Sequence, residues 1–342
     1  MIEPKNILIV RTDRIGDVVL TLPLAGIIKK HHPDCKVTFL VNDYTKEIAK
    51  SNKLIDEVIT LKLTDDKIDF TSSLNEIKQR RFDLAIVVYP KFTVALLIFL
   101  SGIKKRIGSG YRWYSFLFNE KVFEHRKNAE RHELEYNINL LRKIGINEDV
   151  NKSDVKFNLD VDKDSLNKVK SLLAESGIKE YEVLLIAHPG SGGSSVDLPL
   201  IKFKKLIEKT SAINDIRILL TGSESERKIC DEISSGEKTI NLAGKLSISE
   251  LTALISLSKI FISNSTGPLH IAGALNVFVI GFYPKIIACS AKRWGPYNKK
   301  NIIFEPIIDC NNCTVEQCEK LDCMNSIDVG RVFDKVKAQL KN

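Results

Sequence analysis

Ser-Asn-Ser-Thr-Gly-Pro-Leu-His, residues 263–270, has the residue types and order of an anion-binding turn. It follows a short apolar run, Lys259-Ile260-Phe261-Ile262, and precedes a small-residue helix, Ile271-Ala272-Gly273-Ala274-Leu275. A strand that ends in hydroxyl and amide side chains and then opens a helix at Thr266-Gly267 aims free backbone N–H groups at one point. The helix dipole adds positive character there, which suits phosphate. Ser, Asn and Thr are also ordinary N-cap residues, so the turn gains its weight from companions elsewhere in the chain.

The first companion is Arg11-Thr12-Asp13-Arg14-Ile15-Gly16-Asp17, directly after the first apolar run. It has the place of a dinucleotide-binding loop but lacks G-x-G-x-x-G, which disfavours a nicotinamide or flavin enzyme. Arg11 and Arg14 supply cations for a charged substrate, and Gly16 permits a tight turn or close approach of a ligand. Asp17 reads either as an N-cap or as a general base. The second companion is His188-Pro189-Gly190-Ser191-Gly192-Gly193-Ser194-Ser195. It exposes N–H and O–H donors between a strand and a helix, without the Gly-Lys-Ser/Thr of a P-loop. The third, Thr221-Gly222-Ser223-Glu224-Ser225-Glu226, offers a carboxylate for a ribose diol, or a plain capping box of Ser223 with Glu226.

The elements that must carry these loops alternate. Ile7–Val10, Lys36–Val41, Glu57–Leu61 and Leu84–Val88 read as strands, with helices over 17–31, 44–51, 72–80 and 91–101. Residues 103–127 read as irregular and aromatic-rich, and 130–144 as helical. After a polar linker over 147–165 the alternation restarts, with strands at 182–187, 215–221, 238–241, 259–263 and 277–281 and helices between them. This pattern predicts an α/β chain of two Rossmann-like, doubly wound domains facing a central cleft, where the strand carboxyl ends bind ligands. The expected division is 1–155, 156–325 and a terminal helix, 326–342, on either domain.

At 342 residues the chain exceeds one compact core. The N-terminal apolar run is too short for a signal peptide, and no stretch approaches the length of a membrane span. A soluble cytoplasmic protein is expected. The net charge is +8, concentrated in part between 104 and 131, where eight Lys and Arg stand against three Glu among Tyr111, Trp113, Tyr114, Phe116 and Phe118. That mixture suits an anionic ligand, an anionic membrane surface or nucleic acid. A solvated helix face is the plain alternative. The small-ligand architecture around it argues against nucleic acid. Seven cysteines include Cys310, Cys313, Cys318 and Cys323, whose spacing permits a four-thiolate zinc site, with reduced buried thiols as the alternative.

Arg-Thr-Asp-Arg-Ile-Gly-Asp-Val-Val-Leu-Thr-Leu-Pro, His-Pro-Gly-Ser-Gly-Gly-Ser and Asn-Ser-Thr-Gly-Pro-Leu-His-Ile-Ala, in that order, resemble glycosyltransferase family 9. This is the ADP-heptose:lipopolysaccharide heptosyltransferase family of Gram-negative bacteria. The resemblance extends over almost the whole chain and takes in Arg106-Ile107-Gly108 and the His132–Gly145 segment. It implies a GT-B architecture and an inverting, metal-independent transfer without a cofactor. Heptose would pass from ADP-L-glycero-D-manno-heptose to the lipopolysaccharide inner core on lipid A. Asp17 matches the catalytic base. Ser191, Gly192, Gly193, Ser194, Ser195, Ser265, Thr266, Gly267 and His270 match the donor side, with Glu224 or Glu226 near the ribose or sugar. Arg11, Arg14, Gly16, Arg106 and Arg112 fall on the acceptor side. The resemblance also implies transient contact with the inner face of the inner membrane. Two positions depart from the pattern: Val196 stands where many relatives have a phosphate-binding lysine, and Ser265 where some have Asp. Lys285, Lys292 or Arg293 is the expected substitute cation. The departures leave open another nucleotide sugar, or a catalytically silent relative that only binds one.

Overall fold

A computed structural model describes residues 4–64, 67–308 and 314–341. The chain divides into two compact units, Met1–Arg126 with Glu133–Asp160, and Lys127–His132 with Val161–Asn342. The backbone therefore passes from one unit to the other three times.

In the first unit the chain runs β1 (Asn6–Val10), α1 (Ile15–Val19), α2 (Pro23–His31), β2 (Lys36–Val41), α3 (Lys46–Lys50), β3 (Glu57–Thr60), a short hairpin of β4 (Leu63–Thr64) and β5 (Lys67–Ile68), and α4 (Phe70–Gln79). It continues through β6 (Leu84–Val87), α5 (Phe92–Leu100), β7 (Lys105–Ser109), β8 (Glu120–Val122) and α6 (Glu133–Asn139). The sheet order is β3-β2-β1-β6-β7-β8, with every pair parallel. Parallel strands covered on both faces read as unbroken apolar runs, and Ile7 to Val10 are accordingly all buried.

The second unit repeats the scheme. Its elements are α7 (Lys163–Glu175), β9 (Val183–His188), α8 (Leu200–Ser211), β10 (Ile216–Leu220), α9 (Arg227–Ile233), β11 (Thr239–Asn241), α10 (Ile248–Leu257) and β12 (Ile260–Asn264). Then follow α11 (Gly267–Ala274), β13 (Phe278–Phe282), α12 (Ala291–Trp294), β14 (Asn301–Phe304), α13 (Val315–Lys320) and α14 (Val329–Lys341). The sheet order is β11-β10-β9-β12-β13-β14, again all parallel. The terminal helix α14 belongs to this unit: Val329, Val332 and Val336 join the same core as Leu206 and Ile207.

In both sheets the strand order reverses direction next to the first strand, between β1 and β6 and between β9 and β12. Doubly wound sheets bind ligands outside the carboxyl ends of the strands at that switch. The Arg11–Asp17 loop leaves β1, the His188–Ser195 loop leaves β9, and the Ser265-Thr266 turn leaves β12. Three of the four chemistry-bearing segments thus stand at switch points, and the fourth, Thr221–Glu226, leaves β10 beside them.

Several expectations are corrected. The helix over 17–31 is two helices, because Pro23 has no N–H to continue the ladder and instead opens α2. The region 103–127 is not irregular throughout, since it contains β7 and β8. β14 and α13 were not anticipated either. Strand β7 opens with Lys105-Arg106, so pairing with β6, rather than any apolar run, defines it.

Candidate active site

In the first unit the site is organised by a buried guanidinium. Arg11, 1 % exposed, donates from Nε to Asp13 Oδ1 at 2.7 Å, pairs with Asp17 Oδ1 through Nη2, and lies 3.5 Å from Glu133 Oε1 through Nη1. Its flat face covers the ring of Tyr89, the second residue after β6, at 5.8 Å. Arg126 completes the layer, donating to Glu133 Oε1 at 2.6 Å and to Asn137 Oδ1 at 2.9 Å. Asn137 in turn donates to the Leu20 carbonyl at 3.1 Å, fixing α6 to the junction of α1 and α2.

Asp17 is therefore not an N-cap. Arg14 occupies that position, and Asp17 stands in the first turn of α1, where the helix dipole favours a carboxylate. Its side chain keeps 15 % exposure while Arg11 holds Oδ1. Gly16 lies inside α1, buried and without positive φ. Arg11, expected to meet the acceptor, is instead enclosed by the carboxylates and positions them. Arg106 is likewise corrected: its guanidinium donates to the carbonyls of Leu117 at 2.9 Å and Ile103 at 2.5 Å, holding the β7–β8 connection. Arg14 and Arg112 remain exposed.

Burial would lower the Arg11 pKa, but Asp13, Asp17 and Glu133 outweigh it and leave the guanidinium raised above its ordinary value. Burial pushes Asp13 up to about 6, with the Asp17 and Glu133 charges adding and Arg11 opposing. Folded Asp13 thus holds its proton up to about pH 6, against 3.8 for the unfolded reference. Its stabilising contribution is complete below the lower value and disappears as pH rises through the upper one. Relative to Asp13→Asn, the wild type should lose up to roughly 3 kcal/mol between pH 4 and pH 7. Urea midpoints across that range measure it, and a constant difference contradicts the shift.

In the second unit two turns face the switch between β9 and β12. Gly192 and Gly193 have φ of +56° and +72° with open space around them, a backbone path that side chains rarely adopt. Asn264, fully buried, donates to the Pro189 carbonyl and accepts from Leu198 N–H at 2.9 Å, clamping the β9 loop onto the end of β12. Ser265 is hydrogen-bonded to Tyr283, whose hydroxyl donates to the Trp294 carbonyl at 2.8 Å. Thr266 is the N-cap of α11 but makes no side-chain cap. Its hydroxyl does not occupy the first-turn amides, which remain suited to an anion.

The donor-side assignments divide. Ser191 donates its hydroxyl to the Ser195 carbonyl at 3.4 Å and lies beside Asp197, so it serves the loop itself. Burial pushes Asp197 up to about 6, with the Glu226 charge adding to the rise and the Ser191 donors opposing. Ser195 Oγ and Asp197 Oδ1 are buried atoms without a partner, and Ser194 lies half-buried beside them. Glu226 forms the capping box with Ser223, and its Oε1 occupies the place that a Cβ on Gly190 would take, 1.7 Å away. Glu224 is exposed and bidentate to Arg227, both contacts being 2.9 Å. Burial lowers His270 to about 3 and His188 to about 4. Both rings are neutral at physiological pH, so His270, whose Nδ1 has no partner, supplies a polar contact and no cation. His132 donates from Nε2 to the Gly295 carbonyl at 2.8 Å, its ring 4.7 Å from Tyr297.

Val196 is buried in the core of this unit, so a cation from that position is ruled out by packing as well as by sequence. Of the expected substitutes, Lys285 donates to the Ile308 carbonyl at 3.0 Å and Lys292 is exposed. Arg293 lies over the Trp294 ring at 4.8 Å, and that ring is 6.4 Å from His270. Cys310 and Cys313 lie outside the described residues. Cys318 and Cys323 are buried in the apolar core, and no metal-binding group occurs among the described residues.

Sequence reasoning missed Glu133, Asn137, Asp197 and Asn264 as site-forming residues. Glu133 and Asn137 are four apart on one helix, a spacing that places them on one face, and that signal was available.

Two doubly wound parallel sheets, each with its chemistry at a switch point, define the GT-B class of glycosyl-transferring folds. The sequence model of glycosyltransferase family 9 (heptosyltransferase) matches residues 71–323, and the chain belongs to that family. It is a glycosyltransferase. It is 30 % identical over 309 residues, 88 % of this chain and 89 % of the relative, to a Haemophilus influenzae protein named "Putative glycosyltransferase". To lipopolysaccharide heptosyltransferase 3 of Escherichia coli it is 25 % identical, over 84 % of this chain and 85 % of that one. The solved ADP-heptose lipopolysaccharide heptosyltransferase II of E. coli superposes with a TM-score of 0.79 at 18 % identity, covering 98 % of each chain.

Proposed function

We propose that the protein transfers heptose from ADP-L-glycero-D-manno-heptose to the inner core of lipopolysaccharide, with inversion at the anomeric carbon. The observation that carries this reading is the Asp17 carboxylate, held by buried Arg11 at the carboxyl end of β1 and partly exposed. In the proposed step Asp17 takes the proton of an acceptor hydroxyl while that oxygen attacks the anomeric carbon. The bond from that carbon to the β-phosphate oxygen breaks, and ADP leaves with the electron pair. Preorganised donors then meet the developing charge. Thr266 and the first-turn amides of α11 fill that role, with Gly192, Gly193 and the Ser195 hydroxyl on the second turn and Arg293 as the cation. Exposed Arg14 and Arg112 would meet the acidic sugars of the acceptor.

The names of the E. coli relatives support the donor and the acceptor class. A lipid-linked acceptor implies work at the inner face of the inner membrane. Among the described residues no helix is long and apolar enough to cross a bilayer. The burial of Val196 favours a second reading, the same chemistry on another nucleotide sugar. Incubation with ADP-heptose and Kdo-lipid A, followed by mass spectrometry, tests both. Gain of one heptose is expected. No gain with ADP-heptose, but gain with another nucleotide sugar, selects the second reading.

A further inference from the structure

Helix α5, Phe-Thr-Val-Ala-Leu-Leu-Ile-Phe-Leu, is apolar on both sides. Val94, Ala95, Leu97 and Ile98 face the core of the first unit and are fully buried. The opposite side, which on an ordinary surface helix is polar, presents Phe92, Phe99 and Leu100 to solvent. The loop after β7 extends this surface. Trp113, 74 % exposed, stacks on Phe92 at 4.9 Å, and Phe116 is 64 % exposed. Beneath them Tyr114 contacts both the Phe92 and Trp113 rings edge-on and anchors its hydroxyl on the Pro90 carbonyl at 2.6 Å. The aromatic cluster is therefore a fixed feature of the fold.

The charge along this stretch of sequence has one sign. Between Lys91 and Phe118 the sequence holds Lys91, Lys104, Lys105, Arg106 and Arg112, and neither Asp nor Glu. Lys91, Lys104 and Arg112 are exposed, and the Arg106 guanidinium lies 5.2 Å over the Phe99 ring. A second copy of this surface would set cations against cations. An anionic bilayer offers what the surface lacks: phosphates for the ammonium and guanidinium groups, and an interfacial layer in which tryptophan and phenylalanine rings are stable. Nine residues of helix reach only about 14 Å, less than half the hydrocarbon thickness, so α5 would lie in the interface.

We propose that the outward side of α5 and the Trp113–Phe116 loop form a membrane-docking surface for anionic lipid. It rests on the reading of a lipid-linked acceptor and adds the surface by which the enzyme reaches it. The full chain is mixed with phosphatidylcholine vesicles containing or lacking about 30 % phosphatidylglycerol, without donor or sugar acceptor, and co-sedimented. The outcome is thus independent of whether the transfer reaction is correctly assigned. Binding to the anionic vesicles should exceed that to neutral ones about tenfold or more and weaken as salt is raised. Trp113→Ser with Phe116→Ser should reduce it about tenfold, and so should Lys91→Glu with Lys104→Glu. Unchanged far-UV circular dichroism and thermal melting establish that each variant is folded, and the exposed lysine pair provides the result should the aromatic pair fail to fold. Equal binding to both vesicle types overturns the proposal. Wild-type binding by a folded variant also overturns it, as does a wild-type oligomer that Trp113→Ser with Phe116→Ser converts to monomer.

Discussion

Asp17→Asn should lower kcat by about 10³-fold while leaving the affinity for ADP within about twofold. The amide has nearly the size of the carboxylate and still accepts a hydrogen bond from Arg11, so the first turn of α1 keeps its geometry. What it loses is the ability to take a proton. Single-turnover transfer and calorimetric ADP titration separate the two effects. The pairing with Arg11 gives the result a second use, because a carboxylate that served only to neutralise the guanidinium would show its loss in stability and not in rate. A variant that turns over like the wild type removes Asp17 from the mechanism.

Arg11→Leu should cost roughly 3–5 kcal/mol of stability, because it leaves buried carboxylates without their shared cation. Asp13, Asp17 and Glu133 all pair with Arg11, and Glu133 also pairs with Arg126. Arg11→Lys should recover part of the loss: an ammonium keeps the charge, but it cannot span three acceptors as the planar guanidinium does. Adding Asp13→Asn to Arg11→Leu should also restore part, by removing one of the stranded charges. The defect should shrink toward pH 5, where Asp13, pushed up to about 6, is increasingly protonated. Urea unfolding at pH 5 and pH 7.5 measures this. A loss of about 1 kcal/mol or less at the higher pH would show that water reaches the cluster freely.

The central strands and the loops that leave them were legible because their causes are local. Ile7–Val10 and Val183–Ala187 are continuous apolar runs since both faces of a parallel strand are covered, and the polar residues that follow mark where each strand surfaces. The glycines at 192 and 193 announced a turn, and the structure gives both the left-handed backbone that requires them. The edges were less legible. β7 begins with charged residues and β14 with Asn301, and their pairing is set by neighbours remote in sequence. The role of Arg11 was misread for the same reason. An arginine after a strand looks like a ligand for substrate until a carboxylate 122 residues away is seen to enclose it. The turn Ser263–His270 was legible from its hydroxyl and amide side chains as an anion-binding turn, whereas the structure uses the Asn264 amide to tie two loops into one frame.

The three passages of the backbone between the units bear on how the protein can be dissected. Residues 127–132 belong to the second unit although they interrupt the sequence of the first. A gene cut after codon 160 would yield a C-terminal fragment whose Gly295 carbonyl and Tyr297 ring have lost His132. The N-terminal fragment would carry that hexapeptide without the Gly295 carbonyl and the Tyr297 ring that His132 meets. Neither half is a faithful miniature of its unit, and a minimal donor-side fragment would have to graft the hexapeptide back.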